Sequence, residues 1–418
     1  MKFVHSADFH LDSPLRGLER YEGAPVDDLR AATRRALENL VKLAVDEQVA
    51  FVLIAGDIYD GDWRDYNTGL FFLRQMNRLR EVGIPVLLIR GNHDAISQIT
   101  KELTLPDNVK EFPTRRPSTV IFEDLGVAIH GQSFPSRSVA EDLSAGYPLP
   151  LAGLINIGLL HTSADGREGH EDYAPCTLTG LVSKHYDYWA LGHVHQREIM
   201  SQDPWVVFSG NVQGRHVRET GIKGCTMVTA VDGRIREVEH RALDVIRWEE
   251  CLVDASQASD AEEVLERVQQ ALLSASDDAE GRLLAARVTV SGACRAHSML
   301  SNHYERFVAD CRALANDIGS SQVWVEKVRL LTCAEAQLDE IVGSDPLSDL
   351  VRFVRELKGD ESELLKLLEG FKDFRQKLPI ELISGPDAIR IDLQACGELL
   401  EEAEQILLPL LLEQESSR

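Results

Sequence analysis

Long apolar runs are missing from this 418-residue chain; none approaches the roughly 18–20 residues that span a bilayer. Nor does it open on a secretory leader, since MKFVHSADFH carries one lysine and reaches Asp8 at once. The expectation is a soluble protein of the cytoplasm. Cysteine is sparse: seven residues, at 176, 225, 251, 294, 311, 333 and 396, with no CxxC pair and an odd total. That pattern excludes a disulfide framework and predicts reduced thiols packed as small hydrophobes. Glycine (29) and proline (15) stay at ordinary levels, which excludes collagen-like and disordered chains. No GxxxxGK[ST] stretch occurs, so any ATP-driven step needs a partner to supply the ATPase.

Positive charge is also short. Against 68 Asp+Glu stand only 44 Lys+Arg, a net of −24. Residues 1–245 carry 26 basic and 34 acidic side chains, a net of −8, while residues 246–418 carry 18 and 34, a net of −16. Such acidity weakens non-specific nucleic-acid binding, which is driven by neutralising phosphates. Most of the excess, however, lies in the second part of the chain.

What is present is a length suited to two or three domains. Over residues 1–245, short apolar runs alternate with helical spacing. Strands are predicted at the N-terminus up to Asp8 and over 51–57, 84–94, 118–122, 126–131, 154–161, 187–193, 204–210 and 224–231, with helices over 27–48 and 65–82. Near-continuous apolar strands separated by helices predict an α/β fold with a sheet system covered on both faces. Residues 246–340 read as a small α+β module, with helices over 260–275 and 302–318 and strands over 282–292 and 322–332. Residues 341–418 read as helical and acidic. The last helix, about 387–413, has too many leucines for one narrow stripe, which suits either its own bundle or a partner surface.

Five polar motifs fall at predicted strand ends. Asp8-Phe9-His10 follows the first strand, Gly56-Asp57-Ile58-Tyr59-Asp60 the second, and Gly91-Asn92-His93-Asp94 the third; His161 closes the 154–161 strand and Gly192-His193-Val194-His195 the 187–193 strand. Ligands of α/β sheets gather at the carboxyl ends of strands, so these side chains can converge. Carboxylate, amide and imidazole donors without thiolate suit manganese, iron or zinc. One bridging carboxylate and three further donors on each side would hold a metal pair and leave room for water and phosphate.

In this order and at these spacings, DxH, GDxxD, GNHD, a single His and GHxH resemble the calcineurin-like metallophosphoesterase superfamily. More narrowly, HSADFHLD, LIAGDIYD, IRGNHD, LLHT and ALGHVH are similar to the SbcD-type DNA repair exonucleases, especially their YhaO-like branch. The likeness covers residues 1–245 and extends more weakly to the module and helical tail behind them. It implies a two-sheet sandwich flanked by helices, a small α+β cap over 246–340 and a helical region over 341–418 that could dock an ATPase. It also implies two divalent metal ions, with manganese ahead of iron, zinc or magnesium. Metal A would be held by Asp8, His10, Asp57 and His195, and metal B by Asp57, Asn92, His161 and His193, with Asp57 as the bridge. His93 would stabilise or protonate the leaving oxygen, and Asp94 would orient His93. An activated water would attack phosphorus in line.

The implied activity is that of a DNA nuclease in repair or end processing, working with an SbcC-like or YhaN-like coiled-coil ATPase, and as a homodimer. The alternative is a phosphodiesterase for small nucleotides, which the −24 charge favours. A non-catalytic scaffold fits less well, because clustered carboxylates are costly without a cation. Around the motifs, Asp60 reads either as a partner of the chemistry or as a capping carboxylate, and Asp12 as a cap or turn residue. His130, His170, His185 and His216 read as structural or surface residues. The stretch 209–224, with Arg215, Arg218 and Lys223, is either a polar turn or a contact to a phosphate backbone. Arg16, Arg115 and Arg116 are weaker candidates for such a contact.

Overall fold

The computed structural model describes residues 1–13, 24–60, 66–95, 104–164, 174–318, 323–334 and 361–370, with a few positions between 353 and 400. In chain order the first elements are β1 (Lys2–Ser6), α1 (Val26–Asp46), β2 (Val52–Ala55), α2 (Tyr66–Glu81), β3 (Val86–Ile89) and β4 (Val109–Glu111). Then follow β5 (Ser118–Phe122), β6 (Val127–Gly131), β7 (Ile155–His161), α3 (Leu178–Ser183), β8 (Tyr188–Gly192), β9 (Glu198–Gln202) and β10 (Trp205–Phe208). A hairpin of β11 (Gly224–Val231) and β12 (Arg234–Ala242) leads to β13 (Ile246–Asp254). The later elements are α4 (Ala261–Asp278), β14 (Leu283–Cys294), α5 (His297–Asn302), α6 (Tyr304–Asp317), β15 (Val323–Ala334) and α7 (Glu361–Gly370).

Two six-stranded sheets hold the first part, in the orders β12-β11-β1-β2-β3-β4 and β5-β6-β7-β8-β10-β9. Strands β1 to β4 run parallel, as do β6, β7, β8 and β10; the antiparallel members are β11, β12, β5 and β9. The expected α/β sandwich is therefore what the chain forms. The period of two along each strand divides the apolar residues between layers. In β2, Leu53 and Ala55 join Phe3, Leu87, Ile129, Ile157, Leu159 and Tyr188 in one buried cluster that draws on both sheets. Val52 and Ile54 point the other way, into a cluster with α1 and α2. Strands buried on both faces cannot alternate with polar residues, which is why they read as unbroken apolar runs.

Helix α1 buries Leu29, Ala32, Ala36, Leu37, Leu40, Val41 and Ala44, one face at helical spacing. Asp27 and Asp28 sit in its first turn, where the helix dipole favours negative charge. Each fully buried leucine there contributes about 1.5–3 kcal/mol. Asp12 is more than a turn residue: its carboxylate accepts from Arg34 of α1 through both Nε (2.7 Å) and Nη2, and from the Thr68 hydroxyl of α2. The loop after β1 is thereby fastened to both helices.

The contacts divide the described chain into two compact units. The first is Met1–Glu249 with Ser276–Ala286 and 323–326; the second holds Glu250–Ala275, 287–318 and the described residues from Lys327 on. Strands β13, β14 and β15 form a three-stranded sheet in that order. Among the described residues no helix is long and apolar enough to cross a membrane. All seven cysteines are free thiols, and all but Cys333 are buried. The leucine-rich stretch 387–413, Arg16 and His170 lie outside the described residues, apart from a few backbone positions near 396–400.

Candidate metal centre

All five motifs arrive at one place because the strands carrying them are parallel and end on the same side. Asp8 and His10 follow β1, Asp57 and Asp60 follow β2, and Asn92, His93 and Asp94 follow β3, all in the first sheet. His161 ends β7, while His193 and His195 follow β8 in the second. The ends of β2 and β8 touch. A Cβ on Gly192 would lie 2.0 Å from the Ala55 carbonyl oxygen, so only glycine lets the two loops meet. Turning so many side chains inward bends the backbone. Asp8 (φ 52°), His10 (φ 43°), Asp57 (φ 52°) and His193 (φ 102°) all occupy the left-handed region that side-chain-bearing residues avoid.

Among the described residues three donor groups result, one of them His10, Asp60 and His93 at the rim; the other two lie deeper. Asp8, His10 and His195 offer atoms within 4.8 Å of one another, and so do Asp57, His161 and His193. Asp57 stands between them, with its Oδ2 3.4 Å from His161 Nε2 and 4.0 Å from His10 Nε2. Its Oδ1 accepts the His93 backbone N–H at 3.0 Å, and both Asp8 oxygens accept the His193 N–H at 3.1 and 3.0 Å. Asn92 brings Oδ1 to 2.9 Å from His161 Nε2. The structure therefore brings all seven expected ligands together, each beside at least one other.

The proton arrangement fits a cation. His161 Nδ1 lies 2.8 Å from the Ala55 carbonyl, which can only accept, so Nδ1 carries the hydrogen. Its Nε2 then faces two acceptor oxygens, Asn92 Oδ1 at 2.9 Å and Asp57 Oδ2 at 3.4 Å, so a positive charge belongs there: a second ring proton in the metal-free protein, or a cation in its place. His195 repeats the pattern. Nδ1 meets Glu219 Oε1 at 2.7 Å, while Nε2 faces His10 Nε2 at 3.1 Å. His10 Nδ1 is buried without a hydrogen-bond partner. Imidazoles anchored through one nitrogen and aimed by the other are the usual build of a metal site.

Electrostatics say the same. Burial pushes the Asp8 carboxyl up to about 6, against the pull of His161 and His195. Burial would also raise Asp57, but the His161, His93 and His10 imidazoles hold it well below the carboxylate range. Burial would lower His161, yet Asp57 and Asp8 push it up to about 9. His10, deeply buried and repelled by Arg215, falls to about 3. Two carboxylates in a dry site thus demand nearby positive charge.

The prediction that Asp94 orients His93 needs correcting. The Asp94 carboxylate is taken up by backbone N–H groups, those of Ile58 (2.9 Å), Tyr59 (3.0 Å) and Gly91 (3.2 Å), so it ties the second loop to the third. The side chain on His93 is Asp60, whose Oδ1 lies 2.9 Å from Nδ1 and 3.7 Å from His10 Nδ1. Ser13 Oγ holds the other Asp60 oxygen at 2.6 Å. Asp60 carries a third polar contact where Asp94 had looked better placed, because sequence adjacency says nothing about which way a loop carboxylate turns. His93 itself is one-third exposed at the rim.

The arginines differ from one another. Arg215 is turned inward, with Nη2 3.0 Å from Glu219 Oε1 and 3.3 Å from His195 Nδ1, whereas Arg218 is exposed. His130 sits in the core between Thr119 (2.8 Å) and Asn156 (3.1 Å), as a structural residue.

Comparison with known proteins agrees. Residues 1–197 match the family model for calcineurin-like phosphoesterases, and residues 248–333 match that for the middle domain of metallophosphoesterase YhaO. The uncharacterized metallophosphoesterase YhaO of Bacillus subtilis is 36% identical over 273 residues, 64% of this chain and 67% of that protein. The chain belongs to the calcineurin-like metallophosphoesterases, on their YhaO-like side. Calcineurin-like phosphoesterases are metal-dependent phosphoester hydrolases with a dinuclear centre, and two neighbouring donor groups, with Asp57 in one and 4.0 Å from His10 of the other, suit that arrangement. Among solved structures, TT1561 of Thermus thermophilus is 14% identical, with 58% of this chain and 98% of that one covered and a TM-score of 0.34. A dimetal phosphatase from Danio rerio is 13% identical, with 58% and 96% covered and a TM-score of 0.37. Overlaps this low add no weight to the assignment.

One residue of this metallophosphoesterase escapes the motif reading altogether. Glu219 is buried to 6% exposure against His195, and in the sequence it is only one more charge in a polar turn. Its spacing from Arg215, four residues, was the available sign.

Proposed function

We propose that this metallophosphoesterase is a two-metal DNA nuclease, acting in DNA repair or end processing in the cytoplasm. Asp8, His10, Asp57 and His195 would hold one ion, and Asp57, Asn92, His161 and His193 the other. When bound, the pair supplies Lewis-acid charge for the phosphate and its attacking water. The chain's own part in the reaction centres on His93. With Nδ1 on the Asp60 carboxylate, the ring is fixed and its imidazolium form stabilised, leaving Nε2 to hand a proton to the leaving oxygen. The observation that carries the hydrolytic reading is the position of Asp57 Oδ2 between His161 and His10, where a bridging carboxylate belongs.

The DNA substrate rests on the likeness of the motifs to SbcD-type exonucleases. The same likeness supports a coiled-coil ATPase of the SbcC or YhaN kind as partner, a homodimer, manganese as the metal, and a division into a catalytic domain (1–245), a cap (246–340) and a helical region (341–418). The net charge of −24 favours the second reading, a phosphodiesterase for small nucleotides. Nucleotide release from end-labelled duplex and single-stranded DNA with manganese separates the two. A nuclease releases label, and His93→Ala lowers the rate by about 10²–10⁴-fold. Hydrolysis of a small phosphodiester with no release from DNA, even with the ATPase partner added, would sink the nuclease reading and leave the metal site standing.

A further inference from the structure

The loop after β10, from Asn211 to Gly224, does more than connect two strands. Its Glu219 is a buried carboxylate, and a buried charge is costly unless every oxygen is satisfied. Here both are. Oε1 takes the His195 ring at 2.7 Å and Arg215 Nη2 at 3.0 Å; Oε2 takes the Arg215 backbone N–H at 2.8 Å and Asn211 Nδ2 at 3.0 Å. The same loop also grips the backbone of His195. Its carbonyl oxygen accepts from the Asn211 N–H at 3.2 Å and from Lys223 Nζ at 3.1 Å. The cradle is in turn anchored on the start of β13. Gln213 Oε1 accepts from Val245 and Ile246, its Nε2 donates to the Ile246 carbonyl at 2.7 Å, and the Trp248 indole donates to the Gly214 carbonyl at 2.9 Å.

His161 shows what this adds. Its Nδ1 is held by a neutral carbonyl, that of Ala55, whereas His195 is held by a carboxylate. A carboxylate fixes the tautomer and also makes the far nitrogen more basic. Arg215 Nη2 lies 3.3 Å from the same His195 Nδ1, so a competing arrangement exists in which Nδ1 accepts and the hydrogen sits on Nε2. The shorter contact to Glu219 favours the first.

We propose that Glu219 is a positioning residue for the metal centre: it holds His195 as the Nδ1–H tautomer, so that Nε2 reaches metal A as a lone pair, with Arg215 serving Glu219 rather than substrate. This rests on reading His195 as a ligand of metal A. No part of it concerns metal B, where His161 rests on the Ala55 carbonyl.

The test is manganese titration of the full chain by calorimetry, with no substrate present. In the wild type two ions bind. Glu219→Gln weakens one of them by about 10–100-fold and leaves the other unchanged. His195→Ala removes the same ion. If His195→Ala abolishes one binding event and Glu219→Gln alters neither, the positioning role is wrong and the ligand reading stands. If His195→Ala leaves both events intact, the ligand reading itself fails. Nitrogen NMR of the His195 ring in metal-free wild-type protein, above the imidazole titration range, decides the matter without a variant. A hydrogen on Nδ1 is expected, and one on Nε2 overturns the proposal.

Discussion

The two sheets of the catalytic unit contribute opposite halves of the site. The first supplies the oxygen donors, Asp8, Asp57 and Asn92, together with His10; the second supplies only imidazoles, His161, His193 and His195. They also hold their side chains differently. First-sheet carboxylates are fixed by backbone N–H groups from neighbouring loops, as Asp57 is by His93 and Asp8 by His193. Two of the second-sheet imidazoles are fixed through their far nitrogens, His161 on a carbonyl and His195 on Glu219. Asp57 and Asp8 are thus placed by main chain, and His161 and His195 by acceptors behind them. The first arrangement is shared among loops, so a loss on that side should spread, while a loss on the second should stay local.

The sharpest way to break that contrast is Asp57→Asn against His161→Ala. Asp57 touches both donor groups, so its substitution should abolish binding of both manganese ions and lower phosphodiester hydrolysis by about a thousandfold. A loss of about 4 kcal/mol of charge stabilisation gives that factor. His161→Ala should remove one ion and leave the other. Calorimetric stoichiometry reads the difference, and equal losses from both variants would abolish the distinction between shared and local support.

Smaller effects sharpen the roles within the first sheet. Asp60→Asn should lower turnover by about 10–100-fold through loss of the His93 contact, with both ions still bound. Asp94→Asn should instead act on stability, by about 1–3 kcal/mol, because three backbone N–H groups lose their carboxylate. Urea unfolding and kcat measured on both variants would show the two effects separating, and a turnover defect confined to Asp94→Asn would restore the original pairing with His93. The smallest effect belongs to Arg218→Ala. The side chain is exposed, so stability should change by no more than about 0.5 kcal/mol. Any measurable drop in DNA affinity from it would mark that side of the loop as a phosphate contact.

The sequence could point to the proposed ligands because each is encoded where an apolar strand stops, and a strand buried on both faces has an unmistakable end. It could not reveal their supports. Glu219 matters only because the loop from Asn211 to Gly224 folds back over His195, and Asp60 outranks Asp94 only because of how one turn is wound. Strands with a solvated side were hard to read for a related reason. β4, β9 and β12 lack fully buried residues, and RIREVEHRA in β12 alternates charge with apolar side chains, so none stands out as an apolar run. The strand β13 was similarly hidden by its alternation of Cys251 and Val253 with exposed Glu250, Leu252 and Asp254.

Four of the side chains assigned to metal sit on backbone that suits glycine: Asp8, His10, Asp57 and His193. At these positions natural selection for chemistry and selection for a firm fold pull in opposite directions. A laboratory evolution run that rewarded heat resistance alone, with no metal and no substrate in the medium, would find its easiest gains by replacing them. The centre is therefore the part of this protein expected to drift first once its reaction stops being required.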